Sequence, residues 1–151
     1  MIEVRQPRTA AELEQALELR RTVFVGEQGV DESAEGDDLD REAVHLVALE
    51  EGSVVGTCRL ILSSGASADD PGAGSVRLGR LVVAREQRRR GVASALLAAA
   101  EREARAADAS RIVLHAQTYA SPLYSAAGYQ RRGEPFQEAG IEHITMERQL
   151  G

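Results

Sequence analysis

Four arginines fall within six consecutive positions, Arg85, Arg88, Arg89 and Arg90, in a 151-residue chain of formal net charge −6. The last three run directly into Gly91-Val92-Ala93, where a strand-like apolar run has ended and an alanine-rich stretch begins. A helix starting there presents unpaired backbone N–H groups and the positive end of its dipole. That is an anion site in its own right. Gly91 lets a ligand approach the backbone, Ala93 keeps the next position small, and the arginines add charge. The chemistry implied is phosphate or diphosphate binding. Neither GxxxxGK[ST] nor GxGxxG is present, so a Walker-type nucleotide site is unsupported.

The opposite charge gathers at residues 27–42, where Glu27, Asp31, Glu32, Glu35, Asp37, Asp38, Asp40 and Glu42 stand against Arg41 alone. Such a segment could attract a cationic ligand, and solvated loops carry similar runs. His45, His115 and His143 lack metal-ligand spacing of the HExxH kind, so no metal is expected. Cys58 lies mid-strand with no motif around it and reads as a buried, inert thiol. A single cysteine excludes an internal disulfide framework and fits a reducing compartment. The N-terminus has no basic-then-apolar leader pattern, and no apolar run approaches membrane-spanning length. These features predict a cytoplasmic protein. The sequence pI near 5.1 argues against general nucleic-acid binding.

The elements that must position these residues follow from periodicity. Residues 1–6 alternate and form a first strand, ended by Pro7. Thr9 and Glu12 have capping-box spacing, and apolar recurrence predicts a helix over about 10–25. Residues 43–50 and 54–62 form a hairpin around Glu51-Gly52-Ser53. Residues 63–75, small, polar and glycine-rich, are a flexible connection. A fourth strand over 76–84, a helix over about 91–107 and a fifth strand over 111–117 imply a parallel pair. Pro122 suits the start of a short helix and Gly128 its end. Two closing strands follow. The fold class expected is α/β, with a mixed sheet flanked by helices in one domain over residues 1–151.

Arg88 to Ala93 also spells R-x-x-G-x-A after an apolar strand. In this the chain resembles the GNAT family of N-acetyltransferases, whose pyrophosphate loop has that form. "QTYASPLYSAAGY" is similar to the family's later motif at Ala120, Leu123, Tyr124, Gly128 and Tyr129, with Gln117 where asparagine is usual. "RRTVFVGEQGVD", "AVHLVAL", "GRLVV" and "EAGIEHITM" resemble the ElaA-like branch, with Glu142 where that branch often has proline.

The resemblance implies transfer of an acetyl group from acetyl-CoA to an amine by direct attack. It implies fourth and fifth strands that splay apart, with the pantetheine arm on the backbone of Leu81, Val82 and Val83 and a contact from Gln117. The diphosphate would take N–H groups from Arg88, Arg89, Arg90, Gly91, Val92, Ala93 and Ser94. The arginine side chains either reach the 3′-phosphate or point into solvent. Tyr124 matches the general acid. A lysine-like amine of pKa ~10.4 is only roughly 0.04% neutral at pH 7, so a base is also needed. Glu27 and His143 are the candidates, His143 being alternatively a substrate ligand or a satisfied strand residue. Tyr119 and Tyr129 read as packing residues, His45 as structural and His115 as buried. A non-catalytic acyl-CoA sensor and a nucleotide-binding module are the rival readings. The implied partners are acetyl-CoA and an amine acceptor, with no nucleic acid and no membrane, in a monomer or a homodimer built on the closing strands.

Overall fold

The computed structural model describes residues 2–30, 38–62 and 74–150. Most of the expected 63–75 connection, and Asp31, Glu32, Glu35 and Asp37 of the acidic run, lie outside them. Seven strands form one sheet in the order β1-β2-β3-β4-β5-β7-β6. They are β1 (Ile2–Arg5), β2 (Val44–Glu50), β3 (Ser53–Leu62), β4 (Ser75–Val83), β5 (Arg111–Gln117), β6 (Gln130–Glu138) and β7 (Ile141–Gln149). Only β4 and β5 pair in parallel; the other neighbours are antiparallel. The mixed α/β sheet is the one that the strand–helix–strand and hairpin signals predict. No helix among the described residues is long and apolar enough to cross a membrane.

One sheet face is covered by α2 (Val92–Ala106), whose Leu96, Leu97 and Ala100 pack on Leu46, Leu60, Ile112 and Met146. Each fully buried side chain of this size contributes roughly 1.5–3 kcal/mol. The start of α2 lies flush on β3 because residue 56 is glycine. A Cβ there would meet Val92 Cγ1 at 2.8 Å and Leu96 Cδ1 at 3.1 Å.

The other face is covered by α1 (Ala10–Arg20). Thr9 caps it as expected, its Oγ1 accepting from the Glu12 N–H at 3.1 Å. The expected α-helix to about residue 25 stops at Arg20 and continues as a π-helix over Arg21–Glu27. Gln28 N–H donates five residues back to Val23 O at 3.0 Å. The wider turn rotates Phe24 and Gln28 away from the α1 stripe and toward the sheet's open middle; π segments of this kind recur at functional sites.

Beneath α1, Asp40 accepts from Arg20 at 2.7 Å and from Arg59 at 2.9 Å. Burial alone would push its carboxyl up, but the two guanidinium groups outweigh that and hold it below the ordinary 3.8. A depressed carboxyl stabilises the fold above its unfolded pKa and loses that contribution as pH falls through the folded value. Asp40→Asn removes the carboxylate shared by two buried arginines and is expected to cost on the order of 3 kcal/mol at neutral pH. Denaturant melts at neutral and acid pH check this: the deficit should shrink in acid.

Candidate active site

The parallel pairing of β4 with β5 runs only from Ser75↔Arg111 to Leu78↔Leu114. Beyond that the strands part. The cause is visible on β4's other edge, where Thr57 pairs with Val82 but Arg59 with Gly79. β4 carries one extra residue there, with Arg80 in the left-handed region at φ 54°. Such a bulge bends the strand that carries it, and here it turns the end of β4 away from β5. The gap opens into a cleft of about 710 Å³.

At one end of the cleft is the arginine-glycine junction. Arg89 has φ 64° and Gly91 φ 84°, and α2 begins at Val92. Alternating left-handed residues turn successive N–H groups to one side, making a concave anion nest. A left-handed arginine costs roughly 1–2 kcal/mol, strain of the sort found at ligand-holding loops. Arg88, Arg89, Gly91, Val92, Ala93 and Ser94 line the cleft, and Arg90 does not. Arg90 instead donates to Gln87 at 2.5 Å and to Glu50 at 3.4 Å. Arg88 donates to Glu27 at 3.1 Å and to Val83 O at 3.0 Å. Two of the arginines that prompted the anion reading are therefore partly neutralised by carboxylates, and the nest backbone is the more exposed anion-binding element.

Leu81, Val82 and Val83 line the cleft from β4, with Val82 buried and the other two packed against the core. Their β5-facing backbone lies beyond the last parallel pair. Gln117 lines the opposite wall and donates to Gln28 Oε1 at 2.8 Å. It is thereby tied to the end of the π-helix across the mouth of the cleft. The stretch from nest to unpaired strand edge fits a long ligand with a phosphate head and an amide-bearing arm.

Tyr124 enters from α3 (Ser121–Ala126), which Pro122 starts and Gly128 follows at φ 95°. It is half-buried, edge-on to Tyr129 with centroids 6.0 Å apart. Its hydroxyl has no hydrogen-bond partner among the described residues. Burial pushes its phenol well above the usual range, so it stays protonated. Cys58 is fully buried and its thiol is pushed up to about 12 by burial, as an inert thiol should be.

The chain belongs to the GNAT acetyltransferase family. The profile of the acetyltransferase (GNAT) domain matches residues 9–150. The chain is 34% identical to an N-acetyltransferase of Bacillus subtilis, YjcF, over 89% of this chain and 91% of that one. Its fold is similar to that of Escherichia coli ElaA, with TM-score 0.79 and 26% identity over 98% and 99% of the two chains. An acyl-CoA N-acyltransferase from Pseudomonas aeruginosa superposes with TM-score 0.78 and 29% identity, over 98% of each chain. The protein is thus an acyl-CoA-dependent N-acyltransferase by family, and the ElaA likeness read in its motifs holds at the level of the fold.

The candidate bases are placed differently. Glu27 does not line the cleft and pairs with Arg88 at 3.0 Å. His143 does line it, buried on β7, its Nδ1 bonded to Ile141 O at 2.7 Å. Two expectations need correction. Tyr119 is no packing residue: it is 74% exposed at the cleft mouth, its hydroxyl 3.5 Å from Gln28 Nε2. His115 is not a plain buried strand residue, since it lines the cleft and contacts Glu138 and Arg77. Its spacing of two from Gln117 on one strand was the available signal, because alternate strand residues share a face. Tyr129 is buried, as a packing role requires, and His45 bonds Asp40 O at 2.9 Å.

Proposed function

We propose that the protein transfers an acetyl group from acetyl-CoA to a primary amine by direct attack, with Tyr124 as general acid and His143 as base. The observation that carries this reading is the Tyr124 hydroxyl, which lines the same cleft as the 88–94 nest and has no hydrogen-bond partner among the described residues. A pure coenzyme-binding module has no use for such a donor. The Pseudomonas relative's description as an acyl-CoA N-acyltransferase supports the cosubstrate.

The thioester supplies the acetyl group: the amide C–N bond forms, the C–S bond breaks, and the electron pair leaves with sulfur. The acceptor arrives as an ammonium ion and gives one proton to His143 Nε2, which passes it to solvent. That tautomer follows from Nδ1–H donating to Ile141 O. Tyr124 hydrogen-bonds to the departing sulfur and protonates it. The second proton lost by the attacking nitrogen restores the phenol. Glu27 is a poorer base, because its carboxylate is held by Arg88.

A coenzyme A release assay across a panel of primary amines, with the product read by mass, tests the reading. Acetylated product from at least one amine is expected. Tight coenzyme A binding with no turnover on any amine would make the chain a sensing domain instead.

A further inference from the structure

Along the lining of the same cleft, three charged or titratable groups from three strands meet on one face of the sheet. His115 of β5 faces Thr145 in register, and His143 of β7 faces Gln117, two residues on. Glu138 ends β6. A tight turn, with Ala139 at φ 52° and Gly140 at φ 77°, brings it opposite Ile141. Two left-handed central residues are what a two-residue hairpin of this twist demands. β6 also carries two extra residues between Arg132 and Phe136 relative to β7. The ring of Phe136 stacks on His143 at 6.1 Å and meets His115 edge-on at 4.9 Å. These contacts hold both imidazoles in place.

The hydrogen-bonding arithmetic leaves a vacancy for donors. Glu138 Oε1 lies 3.2 Å from His115 Nδ1. Arg77 Nη2 approaches the same imidazole nitrogen at 3.3 Å and adds a positive charge beside the carboxylate. The hydrogen bond from His115 is the first cause holding the Glu138 carboxyl below its usual range, against burial. Glu138 is thus an anion at neutral pH, with Oε1 engaged and Oε2 turned to the second histidine. His143 Nδ1–H is committed to Ile141 O, so neutral His143 presents a lone pair at Nε2. Nε2 and Glu138 Oε2 stand 3.6 Å apart, too long for a hydrogen bond. With His143 in its neutral form, both of these atoms are acceptors. Among the described residues no three ligands converge to hold a metal ion.

We propose that Glu138 Oε2 and His143 Nε2 form the ammonium slot of the acceptor site, so that acceptors are bound as protonated primary amines through Glu138. A primary ammonium has donors for both atoms and a charge that matches the carboxylate. The same contact sets up chemistry, because the proton that bonds Nε2 is the one His143 removes. The carboxylate then faces an imidazolium. Glu138 recognises the substrate, and His115 and Arg77 are positioning residues that act through it. The other ionisable neighbour on the hairpin, Glu142, points its carboxylate to Thr118 Oγ1 at 2.9 Å and takes no part. This assignment rests on the transferase reading for its role in turnover, but the slot itself can be read without turnover.

The test uses full-length protein with 15N-labelled imidazoles and saturating coenzyme A, at about pH 8, where an alkylamine is protonated and an ordinary imidazole is neutral. Butylamine is expected to shift the His143 Nε2 resonance saturably, and 1-butanol is not. Glu138→Gln should abolish the response, and Glu142→Gln should keep it. In turnover with butylamine or the best amine of the panel, Glu138→Gln should raise the KM for amine at least about tenfold, the size of a lost charge-assisted hydrogen bond. The KM for acetyl-CoA should not move. Equal shifts from amine and alcohol, no shift from either, or an unchanged amine KM would overturn the slot. Failure of all amines to turn over, with the butylamine shift and its loss in Glu138→Gln intact, would overturn the transferase reading and leave the slot standing.

Discussion

Gly91→Glu is expected to weaken coenzyme A binding by at least about a hundredfold while leaving the protein folded. The fold can accept the side chain: a Cβ at Gly91 meets nothing within 4 Å. The backbone there is left-handed at φ 84°, which costs a non-glycine residue roughly 1–2 kcal/mol. A carboxylate at a helix start partly offsets that by interacting with the dipole. It does so by occupying the position where a diphosphate would take the same N–H groups. Two like charges at 4 Å repel by about 4 kcal/mol at an effective dielectric constant of 20, more than a hundredfold in affinity. Gly91→Ala separates the causes, since it carries the backbone strain without the charge and should lose only a few-fold. Calorimetric titration of coenzyme A into the three proteins checks the order. Retention of wild-type affinity by Gly91→Glu would displace the diphosphate from this loop.

The nest was legible in the sequence because its signal is local: a strand end, a glycine and a helix start within about ten residues. The arginines beside it were a weaker guide. Their partners, Glu27 for Arg88 and Glu50 for Arg90, come from distant elements, and no spacing announces such pairs. The mixed sheet was readable from the alternation of strand and helix. Its functional distortion was not. The bulge at Arg80 depends on the registry between β3 and β4, and a pattern of period two carries no mark of one inserted residue. The π-helix escaped for a related reason. Phe24 and Val23 fit an α-helical stripe as well as the wider turn that they adopt, and only packing against the sheet decides between them.

Glu138 was the hardest to read. It meets His115 across β7, a strand lying between theirs in the sheet order, twenty-three residues away in sequence. His115 belongs to no motif, and Glu138 only opens the stretch "EAGIEHITM", which assigns it no role. The sheet's left-to-right order, not its strand sequence, creates that contact. Local patterns therefore reached the nest end of the cleft, which is built from consecutive segments. Of the proposed acceptor end, which is built from non-consecutive ones, they reached His143 alone. Loops and edges of that second kind are where members of one fold diverge in substrate.

Tyr124→Phe is expected to slow acetyl transfer about a hundredfold, within the ~10²–10⁴ range for a lost general acid, with coenzyme A affinity unchanged. The substitution is close to isosteric. The ring keeps its edge contact with Tyr129, and removing a hydroxyl without a partner leaves no donor or acceptor stranded, so stability should hold. The effect must then lie in the transition state, where sulfur gains charge as the C–S bond breaks. Loss in kcat and kcat/KM together, with KM for acetyl-CoA level, is the signature of an interaction made only there. The pH profile gives an independent reading. Burial raises the Tyr124 phenol above its ordinary value, so the fall in rate from its ionisation should lie above about pH 10, and neutral pH should show no such limb. A weakly acidic phenol is also a reluctant donor, which is why the restoring proton from the attacking nitrogen matters. If that coupling holds, Tyr124→Phe should lose most with amines of high pKa, whose nitrogen gives up its proton latest. An unchanged rate in Tyr124→Phe would remove the phenol from the mechanism and leave sulfur to be protonated by solvent.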